Sequence, residues 1–146
     1  MSPQPKIALV GCGYWGKNIC RNFHELDALV QVVDATENGQ STARSIAPKV
    51  AVTSKFEDVL SNAEIKGIVL ATPAETHCDL AVLATEKRKD VFVEKPMALS
   101  IDDAKKMQTV AFPSVATVLS VLVPLSQKIF QIIVWSWVTP VNYLAT

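Results

Sequence analysis

The sequence predicts an α/β protein with a Rossmann-type doubly wound parallel sheet. Two observations lead to this prediction. Short apolar runs alternate with helix-like stretches from residue 6 to residue 106, and the motif GCGYWG follows the first apolar run directly. Fully apolar strands that alternate with helices are typical of a parallel sheet whose two faces are both covered. At 146 residues the chain has room for one ordinary domain with a real core.

The predicted strands are the short apolar runs, at residues 6–10, 29–33, 50–53, 66–72 and 90–94. The predicted helices lie between them or follow the last one, at 14–26, 39–47, 54–61, 77–88 and 100–107. Two of these helices begin with a capping pair: Ser54 precedes Glu57, and Ser100 precedes Asp103. The order β-α-β-α therefore holds along the whole charged part of the chain.

Composition excludes several classes of function. The 14 basic and 14 acidic residues balance, whereas a nucleic-acid groove or a polybasic membrane patch needs clustered positive charge. The opening residues MSPQPK are polar and the next apolar run is short, so we expect no secretory signal and a cytoplasmic protein. The three cysteines form no C-x-x-C pair, which predicts buried, reduced thiols and no metal site.

The glycine motif supplies the first candidate site. A G-x-G-x-x-G pattern is weak alone, but here a strand precedes it and a helix follows it. Gly11 would allow the tight turn out of the strand, and Gly13, which has no Cβ, would let a pyrophosphate approach the backbone. Gly16 would let the helix pack closely on the strand. The phosphates would then lie at the N-terminus of the helix, where amides and dipole favour anions.

The second strand supplies an independent indication. It ends at Asp34, 18 residues beyond Gly16, where a carboxylate can accept hydrogen bonds from the adenosine ribose. The same charge would repel a 2′-phosphate, and the next residues, Ala35 and Thr36, include no arginine to neutralise one. The expected cofactor is therefore NAD, with NADP less favoured. A solvated carboxylate at a strand end is the plain alternative for Asp34.

Two further motifs lie at predicted strand ends, where this kind of sheet binds ligands. In LATPAETH, Thr72 and Pro73 could line the cofactor. His77 could also make a polar contact there, although an ordinary surface residue at the start of the next helix is the favoured interpretation. In VEKPMALS, Glu94 and Lys95 follow the next strand, and a lysine there can orient a substrate hydroxyl or assist its deprotonation.

Together these motifs resemble the N-terminal domain of the glucose–fructose oxidoreductase / inositol dehydrogenase (Gfo/Idh/MocA) family. GCGYWG, A-T-P-x-x-x-H and E-K-P occur in the family's order and spacing over about residues 5–110. The segments GYWGKNICRNF and VEKPMALS most resemble those of family members that oxidise nucleotide-activated amino sugars. The resemblance implies hydride transfer between a sugar, nucleotide-sugar or cyclitol carbon and the nicotinamide. It implies Lys95 as the catalytic residue and, as cofactor-binding residues, Gly11, Gly13, Tyr14, Trp15, Gly16, Asp34, Thr72, Pro73, His77, Glu94 and Lys95.

The chain departs from the family after the Rossmann unit. Members are about twice as long or more, and a second α/β domain supplies most substrate contacts with a catalytic Asp and His. No such domain is recognisable here, so we expect a Rossmann domain at 1–110 and an apolar, atypical tail at 111–146. Sugar or nucleotide-sugar binding would then require a second domain. The expected state is a truncated or frame-shifted relative that is inactive alone.

The tail permits other interpretations. From residue 107 to 146 the only charged residue is Lys128. Together with Pro113 and Pro124 it interrupts the apolar run, which is then shorter than a transmembrane helix requires. A strand over 115–123 could join the sheet, and the remaining apolar surface predicts self-association. A naturally short protein whose tail is buried in a partner is a second alternative. A non-catalytic nucleotide-binding or interaction module on a Rossmann scaffold is the rival function.

Overall fold

The computed structural model describes residues 5–111, which form a five-stranded parallel sheet with helices. The strands are β1 (Ile7–Val10), β2 (Leu29–Val33), β3 (Ala51–Thr53), β4 (Gly67–Leu70) and β5 (Asp90–Val93). The helices are α1 (Gly16–Glu25), α2 (Glu37–Ile46), α3 (Phe56–Ser61), α4 (His77–Glu86) and α5 (Ile101–Ala111), with a short 3₁₀ turn at Ala74–Thr76. This confirms the predicted fold class.

The strand order is β3-β2-β1-β4-β5, and every neighbouring pair is parallel. The chain therefore winds outward from β1 to β3 and then returns to the other side of β1 for β4 and β5. Ligands in such sheets bind outside the carboxyl ends of the strands where the winding direction reverses. In this chain that point lies between the ends of β1 and β4.

Both central strands are buried on both faces. All four residues of β1 and all four of β4 are buried, and successive residues of a strand point to opposite faces. Helices α3, α4 and α5 cover one face, where Val59, Ala81 and Met107 belong to the same apolar cluster as Ala8 and Leu70. Helices α1 and α2 contact each other and the strands β1 and β2, so the sheet is the middle of three layers.

All five predicted strands and five predicted helices within residues 5–111 are present in the predicted order. The boundaries differ by up to four residues; α2, for example, begins at Glu37, two residues before its predicted start, because Thr36 is its N-cap. Two loops also turn through non-glycine residues in the left-handed conformation, Asp27 and Arg88, each just after a helix. Periodicity does not reveal such turns, because it reports burial and not backbone dihedral angles.

One predicted cap is correct and the other is wrong. Ser100 Oγ accepts a hydrogen bond from the Asp103 amide at 3.0 Å and donates to the Asp103 carboxylate at 2.7 Å. Ser54 does not cap α3, which begins two residues later with Lys55 at the N-cap and no side-chain cap. The reason is Thr53, whose hydroxyl accepts from the Lys55 amide at 3.1 Å and donates to Asp58 Oδ2 at 2.6 Å.

The predicted tail strand at 115–123 and the rest of the apolar tail lie outside the described residues. Between residues 5 and 111, no helix combines the length and the apolar character needed to cross a membrane. The domain boundary near residue 110 stays a prediction.

These two caps lead to a test of stability. Ser100→Ala removes an N-cap hydrogen bond and should lower the free energy of unfolding by about 1 kcal/mol. Ser54→Ala is the matched control, because an exposed serine without a capping role should change it by less than about 0.5 kcal/mol. Urea unfolding of both variants measures the two values. Equal losses would contradict the assignment of the caps.

Candidate functional site

The glycine loop lies at the reversal point of the sheet, between β1 and α1. Gly11 has φ +91°, a conformation that favours glycine, and a Cβ there would lie 2.7 Å from the carbonyl oxygen of Ala71 at the end of β4. A Cβ at Gly16 would overlap the carbonyl oxygen of Gly11 itself. These two glycines are therefore required by the protein's own packing, as predicted, and their part in cofactor binding stays a prediction.

Gly13 differs from the other two glycines. Apart from Gly13 itself and its two chain neighbours, no described atom lies within 4 Å of the position that its Cβ would occupy. Neither packing nor a left-handed backbone explains a glycine there, and the residue is exposed beside the first turn of α1. Gly13 lies two residues before Trp15, the N-cap of α1, near helix amides and a dipole that favour an anion. The loop therefore fits the pyrophosphate of a dinucleotide.

The two aromatic residues of the loop have different surroundings. Tyr14 is 88% exposed, and the Lys17 ammonium lies 5.3 Å from the centre of its ring. Trp15 instead points toward β5, where its indole N–H donates to Glu94 Oε1 at 2.9 Å. The second oxygen of Glu94 accepts from the Lys95 amide at 3.1 Å. Trp15 and Glu94, predicted separately, thus form one bridge across the end of β4.

Asp34 lies at the carboxyl end of β2, as predicted, and faces the glycine loop. Its Oδ2 accepts from the Cys12 amide at 2.7 Å, and its Oδ1 accepts from the Thr36 amide at 2.8 Å and the Thr36 hydroxyl at 2.7 Å. Partial burial acts to raise the pKa of Asp34, but these hydrogen bonds outweigh it and lower the pKa below its ordinary value. The carboxylate is therefore charged and held in one orientation, so the alternative of a merely solvated carboxylate does not describe it.

Sequence reasoning missed two residues beside Asp34. Thr36 is the N-cap of α2 and accepts from the Gly39 amide at 3.1 Å. A Cβ at Gly39 would overlap the carboxyl group of Asp34. The signal for Thr36 was a threonine followed by an acidic residue in a first helical turn, a pattern typical of an N-cap. The sequence carries no signal for the contact with Gly39, because it joins two elements.

The turn after β4 contains the other predicted residues. Thr72 lies there with its hydroxyl 2.7 Å from the Thr76 hydroxyl, which donates to the Pro73 carbonyl at 2.8 Å. His77 begins α4, but it is not the surface residue that was favoured, because only 1% of it is exposed. Its ring joins two turns: Nε2 lies 2.8 Å from the Thr72 carbonyl oxygen and Nδ1 lies 3.1 Å from the Pro96 carbonyl oxygen.

Lys95 follows β5 at the same edge of the sheet and is exposed, and the bond between it and Pro96 is cis. The turn that carries it is attached to the rest of the edge at two points. Glu94, the residue before it, accepts from the Trp15 indole, and the Pro96 carbonyl oxygen lies beside the His77 ring. The structure therefore brings the glycine loop, the turn after β4 and the Lys95 turn together, with Asp34 on the other side of the loop.

The cysteines of the described region are structural. Cys12, Cys20 and Cys78 are all free and buried, as predicted. A hydrogen bond with Cys20, together with burial, raises the pKa of the Cys12 thiol, which remains protonated. Residues 5–111 also contain no group of three or more histidine, cysteine or acidic side chains that could hold a metal ion.

A reversal point with a glycine loop, an open Gly13 and a charged strand-end aspartate defines a dinucleotide-binding Rossmann domain. The family model described as "Oxidoreductase family, NAD-binding Rossmann fold" matches residues 5–120. The chain therefore belongs to the Gfo/Idh/MocA family of oxidoreductases, of which it carries the NAD-binding domain. This confirms the family, the domain type and the cofactor class that the motifs predict.

Three relatives illustrate the range of the family. The chain is 33% identical over 102 residues to the 2,7-anhydro-N-acetylneuraminate hydratase of Mediterraneibacter gnavus, covering 68% of this chain and 26% of the relative. It is 29% identical over 108 residues to the scyllo-inositol 2-dehydrogenase (NAD(+)) of Bacillus subtilis, with 72% and 32% covered.

The third relative is a solved structure, the WlbA dehydrogenase of Bordetella pertussis in complex with NADH and UDP-GlcNAcA. It has a TM-score of 0.69 and 27% identity, and the match covers 77% of this chain and 35% of that one. The chain thus spans only 26% to 35% of the length of these three relatives.

The lowered pKa of Asp34 predicts how stability depends on pH. A carboxyl group whose pKa is lower in the folded chain stabilises the fold above the ordinary aspartate pKa, and this contribution is lost as the pH falls through the folded value. Asp34→Asn should therefore be less stable than the unmodified chain near neutral pH. The difference should hold down to about pH 5 and then shrink as the pH falls through the ordinary aspartate pKa of about 3.9 toward the lower folded value.

Chemical unfolding of both proteins across that pH range measures the difference. Asp102→Asn is the control, because Asp102 is an exposed carboxylate in the first turn of α5, away from the glycine loop. If the stability difference between Asp34→Asn and the unmodified chain stayed constant with pH, the charge of the carboxylate would not contribute to the hydrogen bonds from Cys12 and Thr36.

Proposed function

We propose that this chain binds NAD(H) at the carboxyl ends of β1, β2 and β4 and serves as the cofactor half of a dehydrogenase. Its substrates would carry a hydroxyl on a sugar, nucleotide-sugar or cyclitol carbon. The observation that carries the proposal is Gly13: the protein leaves its Cβ position open, at the N-terminal end of α1, where a pyrophosphate would need that space.

Each part of the cofactor has a proposed set of contacts. Asp34 would accept a hydrogen bond from the adenosine ribose, since three of about four acceptor positions of its carboxylate are in use and one remains. The loop around Gly13 would hold the pyrophosphate, with Tyr14 exposed beside it. Thr72 and Pro73 would line the nicotinamide side, where Trp15 and Glu94 fix the adjoining turn.

Bound NAD would supply the hydride acceptor at that edge. Lys95 would orient the substrate hydroxyl and assist its deprotonation, as an ammonium that donates to the oxygen or as an amine that accepts the proton. The His77 ring would contribute by holding the Thr72 and Pro96 carbonyls in place, and it would not touch the substrate because it is buried. Lys95 is thus the proposed catalytic residue and His77 a positioning residue.

The proposed substrate class is taken from the relatives. The Bacillus relative is named for an inositol and the Bordetella structure contains a nucleotide sugar. The hydratase relative carries a related region in a protein named for a different reaction. The reaction proposed here therefore depends on a substrate domain joined to this one.

We propose that the protein is cytoplasmic, because its buried free thiols would stay reduced there.

Gly13→Val tests the cofactor site. The Cβ position has no described atom within 4 Å apart from the chain neighbours, so we expect thermal stability to change little. The side chain would occupy the pyrophosphate's place and abolish NAD binding. Isothermal titration with NAD⁺ and thermal unfolding give the two readings. The control is Gly67→Ala at the opposite end of β4, where the nearest atoms lie 3.9 Å away. Retained affinity in Gly13→Val would place the dinucleotide elsewhere.

Lys95→Ala tests the catalytic role. In a fusion of this chain with the substrate domain of a relative, the change should lower turnover by about 100-fold or more, the scale of a positioned acid–base group. NAD affinity should stay the same, since the pyrophosphate and ribose contacts lie elsewhere. Lys105→Ala, an exposed lysine on α5, is the control. Unchanged turnover in Lys95→Ala would make Lys95 an ordinary surface residue.

A further inference from the structure

The carboxyl group of Asp34 packs against the first turn of α2, at Gly39. Three protein donors hold the group: the Cys12 amide on Oδ2, and the Thr36 amide and hydroxyl on Oδ1. One face of the carboxyl group lies against the backbone of Gly39, which is buried. Rotation of the carboxylate would break the bond from the glycine loop, the bond from the N-cap of α2, or both.

Gly39 is a costly residue for the helix. It lies in the first turn of α2, in helical conformation, and its amide donates to the Thr36 hydroxyl at 3.1 Å. A helical glycine destabilises a helix by about 0.5–1 kcal/mol relative to alanine, and no left-handed backbone requires a glycine at this position. The three atoms nearest to a Cβ at Gly39 would all belong to the carboxyl group of Asp34, and the Cβ would overlap them. The contact with Asp34 therefore explains the glycine.

We propose that Gly39 is a positioning residue that sets the preference for NAD over NADP through Asp34. The inference rests on the proposed role of Asp34 in binding the adenosine ribose. A methyl group at this position would push the carboxylate off the face of α2 and away from the Cys12 amide. The ribose would lose its acceptor, and the negative charge that opposes a 2′-phosphate would move away from the site.

The proposal gives a double-mutant test on the full 146-residue chain. Gly39→Ala should weaken NAD⁺ binding by about tenfold or more, the scale of one lost hydrogen bond to a charged group. It should also lower the ratio of NAD⁺ to NADP⁺ affinity, which a general loss of stability would not change. Titration calorimetry with each cofactor measures both values. Gly67→Ala is the matched control, because a Cβ there makes only ordinary contacts at 3.9 Å and lies at the other end of the sheet.

The Asp34→Ala background separates the contact from other effects of the methyl group. Without the carboxylate, Gly39→Ala should cause no further loss of NAD⁺ affinity, and it should raise the thermal midpoint, because alanine favours the helix. In the presence of Asp34 the same substitution should lower the midpoint. If Gly39→Ala alone does not fold, recovery of folding in the double variant supports the same contact.

Two outcomes would overturn the proposal. One is an unchanged affinity and cofactor ratio in a folded Gly39→Ala protein, when Asp34→Ala itself changes them. The other is an equal effect of Gly39→Ala with and without Asp34. If Asp34→Ala changes neither affinity nor ratio, the proposed role of Asp34 in binding fails, and the claim about cofactor preference fails with it. The thermal midpoints then still decide whether Gly39 positions the carboxylate.

Discussion

The site depends on the close contact of two backbone segments at the ends of β1 and β4. Gly11 turns the chain through φ +91° against the carbonyl oxygen of Ala71, and Gly16 lies against the carbonyl oxygen of Gly11. No side chain fits at either glycine, because the atoms they meet are backbone and cannot move aside. This contact brings the first turn of α1 to the point where the sheet reverses its winding, which is the geometry that an anion at the helix N-terminus requires.

Polar contacts between loops then hold the remaining residues around that turn. Asp34 joins the glycine loop to the N-cap of α2, and Trp15 joins the same loop to Glu94 beyond β5. His77 joins the turns on either side of α4 from a buried position. In each case a side chain that follows one strand reaches a residue that follows another: Asp34 reaches Cys12, Trp15 reaches Glu94 and His77 reaches Pro96. The edge is therefore held in place before any ligand binds, which reduces the ordering cost of binding.

The fold could be predicted from the sequence because the signals for its helices and strands are local. Apolar runs, helical spacing and the glycine motif each occupy a few consecutive residues, and they were enough to find ten elements, the glycine loop and Asp34. The capping role predicted for Ser54 is wrong because α3 begins without a side-chain cap, and the hydroxyl that accepts from the Lys55 amide belongs to the neighbouring Thr53. The burial of His77 and the overlap at Gly39 could not be predicted, since each depends on a residue from another element.

The proposed division between cofactor and substrate contacts agrees with the occurrence of this region in proteins named for different reactions. The residues proposed to bind the dinucleotide, from Asp34 to the turn after β4, all lie within residues 5–111. Lys95, by contrast, is exposed at the carboxyl edge of the sheet, where we propose that the substrate binds. Relatives named for a hydratase and for a dehydrogenase share this region but are about three or four times as long as the matched segment. The proposed NAD site lies in the region that these relatives share, so the difference between the reactions in their names points to the parts outside it.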